Sequence, residues 1–96
     1  MLTGKQKRYL RSLANKERAV FQIGKDGLSY NIFSAIDDYL EVHEIIKVSL
    51  LKTCDIDVRE AALDISANTR SEIVQIIGRV IVLYRPSKER VIELPC

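Results

Sequence analysis

The 96 residues, 47% hydrophobic and 29% charged, supply enough apolar side chains for one core and leave no room for a second domain or a disordered polyelectrolyte. The longest run without a polar residue, 80–84, falls far short of the roughly 20 apolar residues of a membrane helix, and the basic N-terminus lacks the apolar stretch of a secretory signal, so a cytoplasmic location is expected. The net charge of +2 is unevenly spread, with +6 on residues 1–25, −6 on 26–64 and +2 on the rest, a segregation that favours one positive face and steers polyanions toward it.

Thr3 followed by Gln6 fits a capping box, and Tyr9, Leu10, Leu13 and Ala14 recur at helical spacing, which predicts a helix over 4–15. The other positions of that helix include Lys5, Lys7, Arg8 and Arg11, a cationic strip on its solvent side. Residues 19–23, rich in β-formers and ended by Gly24, read as a first strand. Gly24, Lys25, Asp26 and Gly27 then interrupt the apolar pattern, and Ser29 is positioned to cap a second helix reaching Leu40. In it Ile32, Phe33, Ile36, Tyr39 and Leu40 share one stripe, with Asn31, Ser34, Asp37, Asp38 and Glu41 on the water side.

Residues 45–51 alternate as a second strand, with Ile46, Val48 and Leu50 on one face. Asp55 or Asp57 caps a third helix, in which Val58, Ala61, Ala62 and Ile65 form the buried stripe and the small alanines suit close approach to a sheet. Two β-rich runs, 72–77 and 80–85, are separated only by Gly78 and Arg79, which permits a hairpin but no crossover helix. Pro86 stops the last strand, and the tail at 91–96 has apolar residues enough to lie against the domain. The order α-β-α-β-α-β-β predicts an α/β fold in which residues 1–96 form a single domain. Its centre is a four-stranded mixed sheet, with three helices lying largely on one face.

The loop Gly24-Lys25-Asp26-Gly27, set between a strand and a helix start, is the most informative feature. Glycines at both ends let the backbone take positive φ and remove Cβ atoms that would hold a polyanion off. The helix beyond Ser29 offers N–H groups and a partial positive charge, and Lys25 adds a full one. A GxxG loop clamps nucleotide backbone in KH domains by this means, whereas the bland alternative is a glycine turn and nothing more. Asp26 puts an acid inside the loop, so its backbone rather than its side chain is the part suited to phosphate.

The runs Thr3-Gly4-Lys5-Gln6-Lys7-Arg8-Tyr9-Leu10, Ile23-Gly24-Lys25-Asp26-Gly27-Leu28-Ser29, Glu44-Ile45-Ile46-Lys47-Val48 and Gln75 through Pro86 resemble the CRM domain, named for chloroplast RNA splicing and ribosome maturation. The likeness spans nearly the whole chain, in order, in the manner of the stand-alone bacterial YhbY-type proteins. It implies a four-stranded sheet with three helices, related to the C-terminal domain of translation initiation factor three. It also implies structured RNA bound near the GxxG loop, and association with precursors of the large ribosomal subunit and its ribosomal RNA as an assembly factor without enzymatic activity. Carried over by position, the implied site is Gly24, Lys25, Asp26 and Gly27, flanked by Lys5, Lys7, Arg8 and Arg11. Arg79 at the hairpin turn and Arg85 at a strand end also match, as candidates to meet phosphate, with Lys88 and Arg90 peripheral. Tyr84 matches as a candidate to stack on a base, although a tyrosine in so apolar a strand favours packing.

Nothing in the chain suggests catalysis, a cofactor or a small-molecule substrate. His43, the only histidine, lies between Glu41 and Glu44 but cannot alone build a multi-histidine zinc site. Cys54 and Cys96 fit no metal-ligand spacing and are expected as free thiols, Cys54 in a structural role. Walker-type phosphate loops, nucleophile elbows and dinucleotide fingerprints do not occur. The rival reading is a protein-interaction module whose acidic second and third helices bind a basic ribosomal protein.

Overall fold

The computed structural model of the chain describes residues 2–25, 27–88 and 92–95. Its elements follow the expected order: α1 (Gly4–Ala14), β1 (Phe21–Ile23), α2 (Tyr30–His43), β2 (Ile45–Leu50), α3 (Val58–Thr69), β3 (Glu72–Ile77) and β4 (Val80–Tyr84). Each helix starts on a side-chain cap that satisfies otherwise orphaned first-turn N–H groups. Thr3 Oγ1 accepts from the Gln6 N–H at 3.1 Å while Gln6 Oε1 accepts from the Thr3 N–H at 3.0 Å. Ser29 Oγ accepts from the Ile32 N–H at 3.3 Å. For α3 the cap is Asp57 rather than Asp55, accepting from the N–H groups of Arg59 and Glu60. α2 continues past Leu40 to His43 and ends where Glu44 turns left-handed at φ 67°.

The sheet order is β1-β2-β4-β3, with β1 parallel to β2 and the other pairs antiparallel. The hairpin at Gly78 and Arg79 thus brings the most apolar strand, β4, to an interior position. One face of the sheet, with Ile23, Ile46, Val48, Leu50, Ile81 and Leu83, packs on Ile36 and Leu40 of α2 and on Ala61, Ala62 and Ile65 of α3. The other face, with Val74, Val82 and Tyr84, packs on Leu10 and Ala14 of α1. The helices are therefore divided between two faces, which corrects the expectation of largely one-sided cover. The physical reason lies in β4, where Ile81, Val82, Leu83 and Tyr84 are all buried, a pattern that demands apolar partners on both sides.

β3 carries a bulge. Its pairing with β4 shifts between Ile73 and Gln75, so Val74 is an extra residue. Ile73 and Ile76 consequently both pack on the α2–α3 side despite their odd spacing, while Val74 buries against α1.

The C-terminal segment is tied back by Glu44. This fully buried side chain accepts from the Ser87 N–H at 2.6 Å and from the Ile92 N–H, and Gln6 Nε2 donates to the Pro95 carbonyl at 3.1 Å. Ile92 and Leu94 lie against the α1-side core, as expected of the tail; Arg90, Val91 and Cys96 lie outside the described residues. Cys54 is a buried free thiol. Among the described residues no helix is long and apolar enough to cross a membrane.

Candidate nucleic-acid interface

Because β1 and β2 run parallel, both strands end at the same edge of the sheet, and the chain after each makes a tight turn there. After β1 the Gly27 N–H donates to the Gly24 carbonyl at 3.0 Å. After β2 the Cys54 N–H donates to the Leu51 carbonyl at 2.9 Å. The two turns touch. A Cβ added to Gly24 would lie 3.5 Å from Leu51 Cδ1 and from Thr53 Oγ1, and one added to Gly27 would lie 3.3 Å from Ile56 Cδ1.

The two glycines play different parts. Gly27 sits at φ 68°, in the left-handed region that disfavours a side chain, so the turn itself needs it. Gly24 is not among the positive-φ glycines, and a Cβ there would make only ordinary contacts. The expectation of positive φ at both ends thus holds for Gly27 alone, and at Gly24 the missing Cβ faces Leu51 and Thr53 of the second turn. Lys25 is exposed between them, and Asp26 lies outside the described residues.

Arg79, expected as a phosphate contact, is exposed and bonded to the second turn. Its Nε donates to the Leu50 carbonyl at 3.1 Å, and its Nη2 to the carbonyls of Leu51 at 2.8 Å and Cys54 at 3.1 Å. The guanidinium therefore holds the carbonyls at both ends of the turn, Leu51 and Cys54, with Lys52 and Thr53 exposed between them. Sequence reasoning passed over Lys52. The available signal was a lysine just after a strand parallel to β1, but it becomes informative only once the β1–β2 pairing is known.

Arg85, the other arginine expected at phosphate, is drawn inward instead. Its Nη1 donates to the Asp37 carboxylate and to the Thr69 carbonyl at 2.8 Å, and its Nη2 to the Asp37 carbonyl at 3.0 Å and to Glu41 Oε1 at 3.5 Å. With 16% of its side chain exposed, it joins α2 to the end of α3. Tyr84 is buried in the α1-side core, where packing prevails over stacking on a base.

The basic positions of α1 lie away from its buried residues Leu10 and Ala14, with Lys5 and Arg8 exposed and Lys7 and Arg11 half-buried. They are on the sheet face opposite α2, whereas the turn at 24–27 lies at the strand ends, where β1 leads into α2. Among the described residues no three His, Cys, Asp or Glu side chains are grouped as a metal site.

Residues 2–85 match the model of the CRS1 / YhbY (CRM) domain family. The chain is 49% identical over 96 residues to a Bacillus subtilis protein named Probable RNA-binding protein YqeI, covering 99% of this chain and 100% of the relative. It is 39% identical over 97 residues to a Haemophilus influenzae protein named RNA-binding protein, covering 98% of this chain and 95% of the relative. A solution structure of a Staphylococcus aureus protein superimposes with a TM-score of 0.82 at 56% identity, covering 99% of this chain and 100% of that one.

Proposed function

The chain belongs to the CRS1 / YhbY (CRM) domain family, and from that membership we infer that it is a non-catalytic, cytoplasmic RNA-binding protein. Its partner in this reading is large-subunit ribosomal RNA within a pre-ribosomal particle, which it binds as an assembly factor. The observation that carries the reading is the pair of abutting turns at the ends of β1 and β2. They bring Lys25 and Lys52 to one edge of the sheet, beside the start of α2, where first-turn N–H groups and the helix dipole favour an anion.

In this reading the clamp is formed by Gly24, Lys25, Asp26 through its backbone, Gly27 and Lys52. Arg79 acts by holding the second turn, and Arg85 makes no contact with RNA. Lys5, Lys7, Arg8 and Arg11 supply a separate electrostatic surface to a large RNA that wraps the domain. The names of the Bacillus and Haemophilus relatives support RNA as the partner. The rival protein-binding module is less well supported, since Asp37 and Glu41 are engaged by Arg85 and Glu44 is buried.

Binding to protein-free large-subunit ribosomal RNA across a salt series tests the function. Log K should fall with log salt by about 0.7–0.9 per phosphate contacted. Lys25→Asp should weaken binding more than Lys88→Asp, an exposed charge change beyond β4, with the thermal transition unchanged in both. Equal affinity of the two variants would remove the clamp, and retention of a basic ribosomal protein without RNA binding would overturn the function.

A further inference from the structure

β1 has three residues and β2 has six, and the mismatch leaves a notch in the sheet edge. Phe21, Gln22 and Ile23 pair with Val48, Ser49 and Leu50, and one further bond runs from the Val20 N–H to the Lys47 carbonyl at 2.9 Å. Beyond it Ile45 and Ile46 have no β1 residue beside them. The end of α1 and the connector at 16–18 wrap one side of this gap and the last turns of α2 close the other, enclosing a cavity of about 410 Å³. That volume falls within the roughly 300–1,000 Å³ of small-ligand sites.

On the α2 side the notch is lined by two aromatic rings, Tyr39 and His43. Tyr39 and His43 stack with ring centroids 4.2 Å apart and planes 30° from parallel, and Phe21 meets Tyr39 edge-on at 6.1 Å. His43 is exposed and ends this series. Val20, at the lip, is 45% exposed. The rim is mainly cationic: Lys16 and Arg18 are exposed on either side of Glu17, whereas Lys47 points its ammonium at the carbonyls of Ala14 and Glu17, both at 3.3 Å. An exposed imidazole ring, two cations and one carboxylate acceptor suit a nucleobase with its flanking phosphates, since the carboxylate can accept from a base N–H.

We propose that this notch is a second RNA-contact site, which takes one unstacked base against His43 while Lys16 and Arg18 meet the neighbouring phosphates. The proposal rests on the RNA-binding reading above and narrows it to RNA with an unpaired nucleotide. Its position fits a single strand engaged at both places: Val20 and Gly24 lie at the two ends of β1, about 13 Å apart at roughly 3.3 Å per residue.

His43 is the only histidine, so its imidazole proton resonances form an unambiguous probe. Adding an RNA hairpin with an unpaired loop should move them upfield, saturating with the Kd read from the anisotropy of the labelled hairpin. A blunt duplex of the same composition should bind and leave them nearly unmoved. His43→Ala should lower affinity for the hairpin by about fivefold or more, with little effect on the duplex. His43→Tyr, which keeps a stacking ring, should restore most of the loss, and His43→Leu should not. Resonances that stay in place while the hairpin binds, equal shifts with hairpin and duplex, or wild-type hairpin affinity in His43→Ala would each overturn the notch and leave the clamp standing. Failure of both RNAs to bind the wild-type protein would overturn the RNA-binding reading and the notch with it.

Discussion

Arg79 Nη2 donates to the Leu51 carbonyl at 2.8 Å across 28 positions of sequence, joining the β3–β4 hairpin to the turn that follows β2. Arg79→Ala should release three carbonyls from a charged donor and destabilise the domain by about 1–3 kcal/mol in denaturant unfolding. Arg79→Lys should recover only part, because an ammonium lacks the planar fork. Exchange of the Cys54 amide should speed up more than that of the β4 amides, whereas uniform acceleration would deny Arg79 this local role.

The glycines of the first turn should separate under substitution. Gly27→Ala forces a side chain into left-handed backbone, at a cost of about 1–2 kcal/mol. Gly24→Ala should stay within about 0.5 kcal/mol in the same unfolding measurement, as its Cβ meets only ordinary contacts, and it should leave RNA binding near wild type, because that Cβ faces Leu51 and Thr53. Gly24→Ala that loses affinity while keeping its stability would contradict this placement of the Gly24 Cβ.

Replacing Lys5, Lys7, Arg8 and Arg11 together with glutamine should weaken RNA binding and preserve the thermal transition, since the core face of α1 is made by Leu10 and Ala14. Each lost contact should flatten the slope of log K against log salt by about 0.7–0.9. An unchanged slope would take α1 out of the interface.

Burial, and secondarily the Glu17 carboxylate, push the Tyr39 phenol above its usual range. A group whose pKa is raised in the folded state lends stability that is complete below the unfolded value and lost as pH rises through the folded one. Alkaline stability should therefore fall as pH passes through the raised Tyr39 value, and Tyr39→Phe should abolish that part of the decline. An ultraviolet titration in which Tyr39→Phe removes an early-ionising phenol would contradict the shift.

Local signals were legible in the sequence because their partners are near in the chain. The Thr3–Gln6 box, the Ser29 cap and the apolar stripes of α2 and α3 all rest on spacings of three or four residues. The placement of Arg79 and Arg85 was not legible, since their acceptors lie 16 to 48 positions away and depend on strand order. The notch was hidden for a related reason: residues 19–23 read as one strand, but its contact with β2 reaches back only to the Val20 bond and leaves Ile45 and Ile46 uncovered. The two-sided cover of the sheet, by contrast, was written in the unbroken apolar run of β4.

The bulge at Val74 has a consequence for how this chain behaves among copies of itself. β3 is one outer strand of the sheet and β1 the other, and an outer strand that is long and flat invites pairing with a neighbouring molecule. Here the first is distorted in mid-strand and the second spans only three residues, so neither offers a regular template. The domain should accordingly resist edge-to-edge aggregation when concentrated, and several such units strung along one polypeptide could sit side by side without exchanging strands.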